Sequence, residues 1–275
     1  MATALISGLS KSAKSDLKIR VSDPSEDARQ RLQSNFGVTV FSDAVPAITD
    51  ADVVVLAVKP QVMPAVLQSL AVSLKPHQLV LSIAAGVSMA TIGGPLQPGQ
   101  AIIRSMPNTP ALIGAGISGV CAGEHCKPHH RAQAEKILQA AGDVVWIEDE
   151  SMMDAVTAIS GSGPAYFFAL AEALAKAGHE LGLPADVSRR LAEHTCAGAG
   201  AMLNTSADSA AELRRRVTSP GGTTQAALEA FQQGGLDQLV LDAATAARDR
   251  GVALSGEAAA GCGNTDTSAS GETAS

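Results

Sequence analysis

The runs Val53-Val54-Val55-Leu56 and Leu79-Val80-Leu81 are apolar at every position, not at alternate ones. Strands of that kind are covered by other elements on both faces, which excludes an antiparallel sheet with one wet face and points to a parallel sheet between layers of helix. Around them, residues 1–148 alternate short β-branched runs with helical stretches, the pattern of βαβ units. Strands are predicted at 18–22, 52–58, 78–83, 101–105 and 143–147, and helices at 25–36, 60–74 and 131–141. After Trp146 the pattern changes: from 151 to 254 no strand recurs, and Ala-rich stretches at 164–181, 185–203, 225–233 and 236–251 read as helices. The expectation is an α/β domain over 1–148, an all-α domain over 149–254, and a disordered tail over 255–275, where bulky apolar groups vanish.

Two domains suit a chain of 275 residues, since an ordinary domain has roughly 100–200. Charged residues are 17% and hydrophobic ones 46%, so the chain as a whole is not disordered. Twenty Lys plus Arg against 27 Asp plus Glu leave a net charge of −7, which argues against a nucleic-acid partner. Aromatic residues are scarce and glycine abundant, so helices are expected to pack through small side chains. The stretch Ala197-Gly198-Ala199-Gly200-Ala201-Met202 suits close approach of a second helix or a second copy of the chain, and a homo-oligomer follows. No apolar stretch approaches the roughly 18–20 residues of a membrane helix. The apolar run after Met1 has no basic stretch before it, so a secretory signal does not fit and a cytoplasmic location is expected.

Cys121, Cys126, Cys196 and Cys262 form no Cys-x-x-Cys pair and read as reduced thiols, with Cys262 exposed in the tail. Cys121, Cys126, His129 and His130 carry zinc-type ligands, but the segment reads as a polar loop entering a helix, and no metal is expected. Glu148-Asp149-Glu150 precedes a helix-like segment, where negative charge caps a helix start more naturally than it forms an acid/base pair.

The strongest candidate site is Ser219-Pro220-Gly221-Gly222-Thr223-Thr224, which runs straight into a helix. Two glycines and a helix N-terminus converge backbone N–H groups on an anion such as a carboxylate, and three hydroxyls add donors; a plain capped helix start is the alternative. Ala57-Val58-Lys59-Pro60 and Ile83-Ala84-Ala85-Gly86 follow two buried strands, where ligands of open parallel sheets bind. Ser22-Asp23-Pro24 ends an earlier strand. Asp23 there is either an acceptor for an adenosine ribose or a turn residue, and no Arg stands ready for a 2′-phosphate. Met106-Pro107-Asn108-Thr109-Pro110 is a rigid loop after another strand, and Ser160-Gly161-Ser162-Gly163-Pro164 opens a long helix.

In this order the segments resemble the pyrroline-5-carboxylate reductase family, most specifically from Glu212-Leu213-Arg214-Arg215-Arg216-Val217 through Thr218 and Ser219 to Thr224. The likeness spans residues 1–254. It implies a Rossmann dinucleotide-binding domain, a helical dimerisation and substrate domain, a homodimer and often a larger ring. The implied reaction is reduction of 1-pyrroline-5-carboxylate to L-proline with NADPH or NADH, the last step of L-proline biosynthesis. By the resemblance, Ser219, Gly221, Gly222 and Thr223 would hold the substrate carboxylate and Thr224 the ring nitrogen, with Thr224 and Ser219 the catalytic pair. Ser22, Ala57, Val58, Lys59, Pro60, Ile83, Ala84, Ala85 and Asn108 would contact the cofactor. The family's substrate site forms between the helical domains of two chains, which implies an inactive monomer.

One departure stands out. Family members open with a strand and a Gly-x-Gly-x-x loop, whereas residues 1–9 resemble the helix that follows that loop. The first strand and its glycines are missing, which reads as a start placed at an internal Met, or else as a real truncation. Two other readings stay open: an inactive or regulatory oligomeric relative, and a hydroxyacid dehydrogenase of the same plan using Lys176 on the long helix.

Overall fold

The computed structural model describes residues 1–11 and 17–263, with side chains through Gly256. It divides into two units, Met1–Gly161 together with the chain from Ala247 onward, and Ser162–Ala246. The first unit runs α1 (Ala2–Lys11), β1 (Arg20–Ser22), α2 (Glu26–Phe36), β2 (Thr39–Phe41), α3 (Ala44–Ile48), β3 (Val53–Leu56), α4 (Met63–Ala71), β4 (Leu79–Ser82) and α5 (Met89–Gly93). It continues through β5 (Ala101–Met106), β6 (Gly116–Ala122), α6 (Pro128–Gln139), β7 (Gly142–Trp146) and α7 (Met153–Val156). The second holds α8 (Gly163–Glu180), α9 (Ala185–Thr205), α10 (Ala210–Arg216), α11 (Thr223–Gln233) and the first part of α12 (Leu236–Gly263).

β3, β4 and β5 are parallel, β6 is antiparallel to β5, and β7 is parallel to β6. The five form one sheet in that order, while β1 and β2 pair in parallel as a sheet of two. Among the described residues no strand ladder joins the pair β1–β2 to the five-stranded sheet. β2 and β6 are not among the predicted strands. β2 has only three residues, and β6 carries Gly116, Ser118 and Gly119, which dilute the apolar signal.

The all-apolar strands are covered on both faces, as their composition requires. Val54, Leu56, Val80 and Ile102 join Met63, Leu67, Leu70 and Ile92 of α4 and α5 in one core. Leu79, Leu81, Ile103 and Val120 join Ala4 and Leu5 of α1 and Ala134 and Leu138 of α6 in the other. Each fully buried aliphatic side chain of this kind contributes about 1.5–3 kcal/mol. α1 approaches α6 at Gly8, where a side-chain carbon would overlap the carbonyl oxygen of Ala140.

In the second unit α8 and α9 pack as a pair. Gly178 lies under Ser188, whose hydroxyl donates to the Ala175 carbonyl at 2.6 Å. Gly198 and Gly200 instead meet nothing within 4 Å in the single chain, and Phe167, Phe168, Leu191 and Met202 are exposed. α12 runs to Gly263, past residue 251 where the sequence ends it, so residues 255–263, placed in the predicted tail, are helical. The run of alanines at 258–260 supplies high helix propensity there. The remainder of that tail, 264–275, and the side chain of Cys262 lie outside the described residues.

Candidate functional site

Because β3, β4 and β5 are parallel, the segments that follow them leave the sheet at one edge. After β3, Ala57 and Lys59 are exposed, and Lys59 leads a single tight turn, Pro60–Val62. After β4, the Ile83 N–H still donates to Leu56 at 3.0 Å, and the Ser82 hydroxyl accepts from the Ala84 N–H at 3.3 Å. Ala84 is buried, Ala85 is exposed, and Gly86 turns with φ 71°. The small exposed side chains of Ala57 and Ala85 let a flat aromatic group lie close against the backbone where β3 and β4 end, and the residues present fit the nicotinamide end of a dinucleotide.

Asn108, after β5, is buried, and its side-chain oxygen accepts from the Ile117 N–H at 3.0 Å, bracing the two-proline loop against β6. Ser22 is exposed at the end of β1. Asp23 beside it is a turn residue, its carboxylate accepting from the Ser25 N–H at 2.8 Å. Arg29 also lies at this turn, where its guanidinium donates to the carbonyls of Asp23 and Pro24 at 2.7 and 2.9 Å and so braces the turn itself. Arg29 stands in the first turn of α2, six residues after Asp23.

The second cluster lies in the other unit. Gly221 has φ 70°; its N–H donates to the Gln225 side-chain oxygen at 2.8 Å, and the Gly222 N–H donates to the Ser219 carbonyl at 3.0 Å. Those two N–H groups are therefore committed within the loop. α11 then starts at Thr223 with no side-chain cap, so the reading of this motif as a plain capped helix is not what folds. An uncapped helix start presents orphan N–H donors and the positive end of its dipole to an anion. Ser219 and Thr223 are exposed and Thr224 is half-buried beside them.

The remaining candidates take other roles. Lys176 is exposed on α8 and meets Glu180 at 4.0 Å. Asp149 caps the Ser151 N–H at 2.8 Å, and this hydrogen bond lowers its pKa. Glu150 departs from the capping reading: it pairs with buried Arg104 at 3.0 Å and accepts from the Met89 N–H at 2.8 Å. Burial raises the pKa of the Cys121 thiol, with Glu150 and Asp149 adding to it. The Cys126 thiol donates to the Ile102 carbonyl at 3.1 Å, and the His130 Nδ1 accepts from the Lys127 N–H at 3.1 Å. Among the described residues no three His, Cys, Asp or Glu side chains form a metal-holding group.

Comparison with known proteins gives this geometry its context. Residues 150–254 match the model of the pyrroline-5-carboxylate reductase dimerisation domain, and residues 1–86 match that of NADP oxidoreductase, coenzyme F420-dependent. Pyrroline-5-carboxylate reductase of Pseudomonas aeruginosa is 46% identical over 254 residues, spanning 92% of this chain and 93% of that one. The chain belongs to the pyrroline-5-carboxylate reductase family. A further member, from Corynebacterium melassecola, is 38% identical over 91% of this chain and 94% of its own. The structure of the Coxiella burnetii enzyme of this family superposes with a TM-score of 0.88 at 37% identity, covering 92% of this chain and 94% of that one. That of Plasmodium falciparum pyrroline carboxylate reductase, with NADP bound, gives 0.76 at 27% identity, covering 92% and 94%. A Rossmann-like parallel sheet followed by a helical dimerisation domain is the architecture of this family and of this chain.

Proposed function

We propose that this protein reduces 1-pyrroline-5-carboxylate to L-proline with NADPH or NADH, the last step of L-proline biosynthesis. The observation that carries the reading is the uncapped start of α11 behind Gly221 and Gly222, in a chain 46% identical to a pyrroline-5-carboxylate reductase. A ring bearing one carboxylate and one C=N bond needs an anion site beside a hydrogen-bond donor or acceptor for nitrogen. Thr223 and Thr224 supply the backbone donors, and the Ser219 and Thr224 hydroxyls the adjustable ones.

The nicotinamide, when bound, supplies a hydride to the C=N carbon. An iminium accepts hydride far better than a neutral imine, so the residues' task is to keep the ring nitrogen protonated and the carbon aligned within about 3–3.5 Å. In this reading the Thr224 hydroxyl accepts from the iminium N–H and fixes the ring, and the carboxylate is held by the Thr223 and Thr224 N–H groups and the Ser219 hydroxyl. Gly221 and Gly222 let the backbone come close enough. Ser22, Ala57, Val58, Lys59, Pro60, Ile83, Ala84 and Ala85 hold the cofactor, while Asn108 shapes the loop beside it. No strong base is required, in keeping with a loop that carries no titratable side chain.

The active species in this reading is a homodimer built on the 149–254 helical domain, located in the cytoplasm; the exposed Phe167, Phe168 and Met202 supply apolar surface for the contact. The test is direct: purified protein is given 1-pyrroline-5-carboxylate and NADPH or NADH, with oxidation followed at 340 nm and proline measured. No imine-dependent oxidation at protein concentrations where the dimer is formed would sink the reading. The hydroxyacid dehydrogenase alternative gains nothing from Lys176, which is exposed and paired with Glu180.

A further inference from the structure

Arg104 is the only Arg, Lys, Asp or Glu residue that is buried among the described residues. It lies on β5 beside Ser82 of β4 in register. Its guanidinium meets Glu150 at 3.0 Å and Asp154 at 3.9 Å. Removing a guanidinium from water costs several kcal/mol unless its partners are well placed, and an apolar side chain would fill the same space at no such cost. The charge therefore calls for a reason, and the contacts of its partners supply one.

The Glu150 oxygen that meets Arg104 also accepts the Met89 N–H at 2.8 Å. Met89 opens α5 and ends the segment that leaves β4 through Ile83, Ala84, Ala85 and Gly86. On the other side, a side-chain carbon at Gly251 of α12 would stand 3.4 Å from the Asp154 carboxylate, and one turn later Ser255 packs on Gly86, 3.6 Å from where its side-chain carbon would be. The Ser255 hydroxyl is buried there without a partner. The segment from 83 to 89 is thus held at its far end by Glu150 and covered at Gly86 by α12, and both contacts lead back to Arg104.

We infer that Arg104 and Glu150 are positioning residues that set the segment between β4 and α5, and through it the cofactor contacts at Ile83, Ala84 and Ala85. This rests on the cofactor reading given above. The proposal is tested on the full chain with Glu150→Ala, Glu150→Gln and Arg104→Lys. NADPH binding is titrated by its fluorescence without imine, amide hydrogen exchange is followed across 83–89, and the KM values for NADPH and for the imine are compared.

Glu150→Ala is expected to weaken NADPH binding by about tenfold and to speed exchange at Met89, with the imine KM within about twofold of wild type. Glu150→Gln keeps an oxygen for the Met89 N–H and recovers most of the affinity. Arg104→Lys keeps the charge but loses the fork that reaches both carboxylates, and weakens NADPH binding in the same selective way; it decides the matter if Glu150→Ala does not fold. Wild-type NADPH affinity in the variants, or equal losses for both ligands, would overturn the proposal while leaving the cofactor reading intact. Failure of the wild-type protein to bind NADPH would overturn both.

Discussion

The side-chain nitrogen of Gln78 donates to the carbonyl of Ile48 at 2.7 Å, and the two residues stand 30 positions apart in the chain. The same nitrogen reaches the Ala51 carbonyl at 2.6 Å, and the side-chain oxygen accepts from the Lys75 N–H at 2.8 Å. Gln100 donates in turn to the Gln78 carbonyl. Two glutamines, each immediately before a strand, therefore tie together the amino ends of β3, β4 and β5, and Gln78 does so fully buried. Gln78→Leu leaves the Ile48 and Ala51 carbonyls and the Lys75 N–H without this partner. We expect a loss of about 2–4 kcal/mol, read as a lower urea midpoint at unchanged slope.

Gly8→Ala should destabilise the protein although alanine is the better helix former by about 1 kcal/mol. The added carbon overlaps the Ala140 carbonyl oxygen, a backbone atom that cannot swing aside. Overpacking of this kind costs roughly 1–3 kcal/mol beyond the propensity gain. Thermal unfolding of the variant beside wild type checks the sign; a raised Tm would mean that α1 does not seat on α6 as described.

Thr224→Ala removes a hydroxyl from the proposed ring-nitrogen contact and is expected to lower kcat/KM for the imine by about ten- to a hundredfold. Lys176→Ala, on an exposed face of α8, should leave both kcat and KM at wild-type values. Steady-state kinetics of the two variants side by side separate the proposed reductase from a lysine-assisted dehydrogenase.

Burial pushes the His130 imidazole below its ordinary pKa, with His129 and Lys127 adding like charge. The unfolded chain takes up a proton near pH 6.5 and the folded one only at lower pH. Its contribution to stability is therefore present above about pH 6.5 and is lost as the pH falls through that value toward the folded pKa. Tm should drop between about pH 7.5 and 5.5 by more in wild type than in His130→Gln, which does not titrate in that range. Equal drops would assign the pH dependence to other groups.

Cys121 is buried, and burial raises its thiol pKa. Because the thiolate is the reactive form, iodoacetamide at about pH 8 should leave Cys121 unmodified in the folded protein and label it after denaturation, as mass spectrometry of the peptides will show.

Local composition was enough to place β3, β4, β5 and β7, most of the helices and the Gly221-Gly222 loop, because unbroken apolar runs, helical spacing and paired glycines are properties of neighbours in the chain. The short β2, the glycine-containing β6 and the helical extension of α12 past 251 were not legible, since each has a weak local signal and its place in the fold is decided by what it packs against or by a run of alanines beyond the last bulky residue. Glu150 makes the same point for side chains. In sequence it is one of three acids before a helix and looks equivalent to Asp149. In the fold Asp149 caps its own turn, whereas Glu150 reaches Arg104, 46 residues away.

By itself, then, the sequence determined which segments become buried strands and helices, and where a glycine loop meets a helix start, for these depend on side-chain type within a few residues. Only the tertiary structure decided which polar groups leave water and which partners meet them: Gln78 with Ile48, Gln100 with Gln78, Arg104 with Glu150. Such pairs are set by the register of distant elements, and a buried donor or acceptor is stable only where that register supplies its partner.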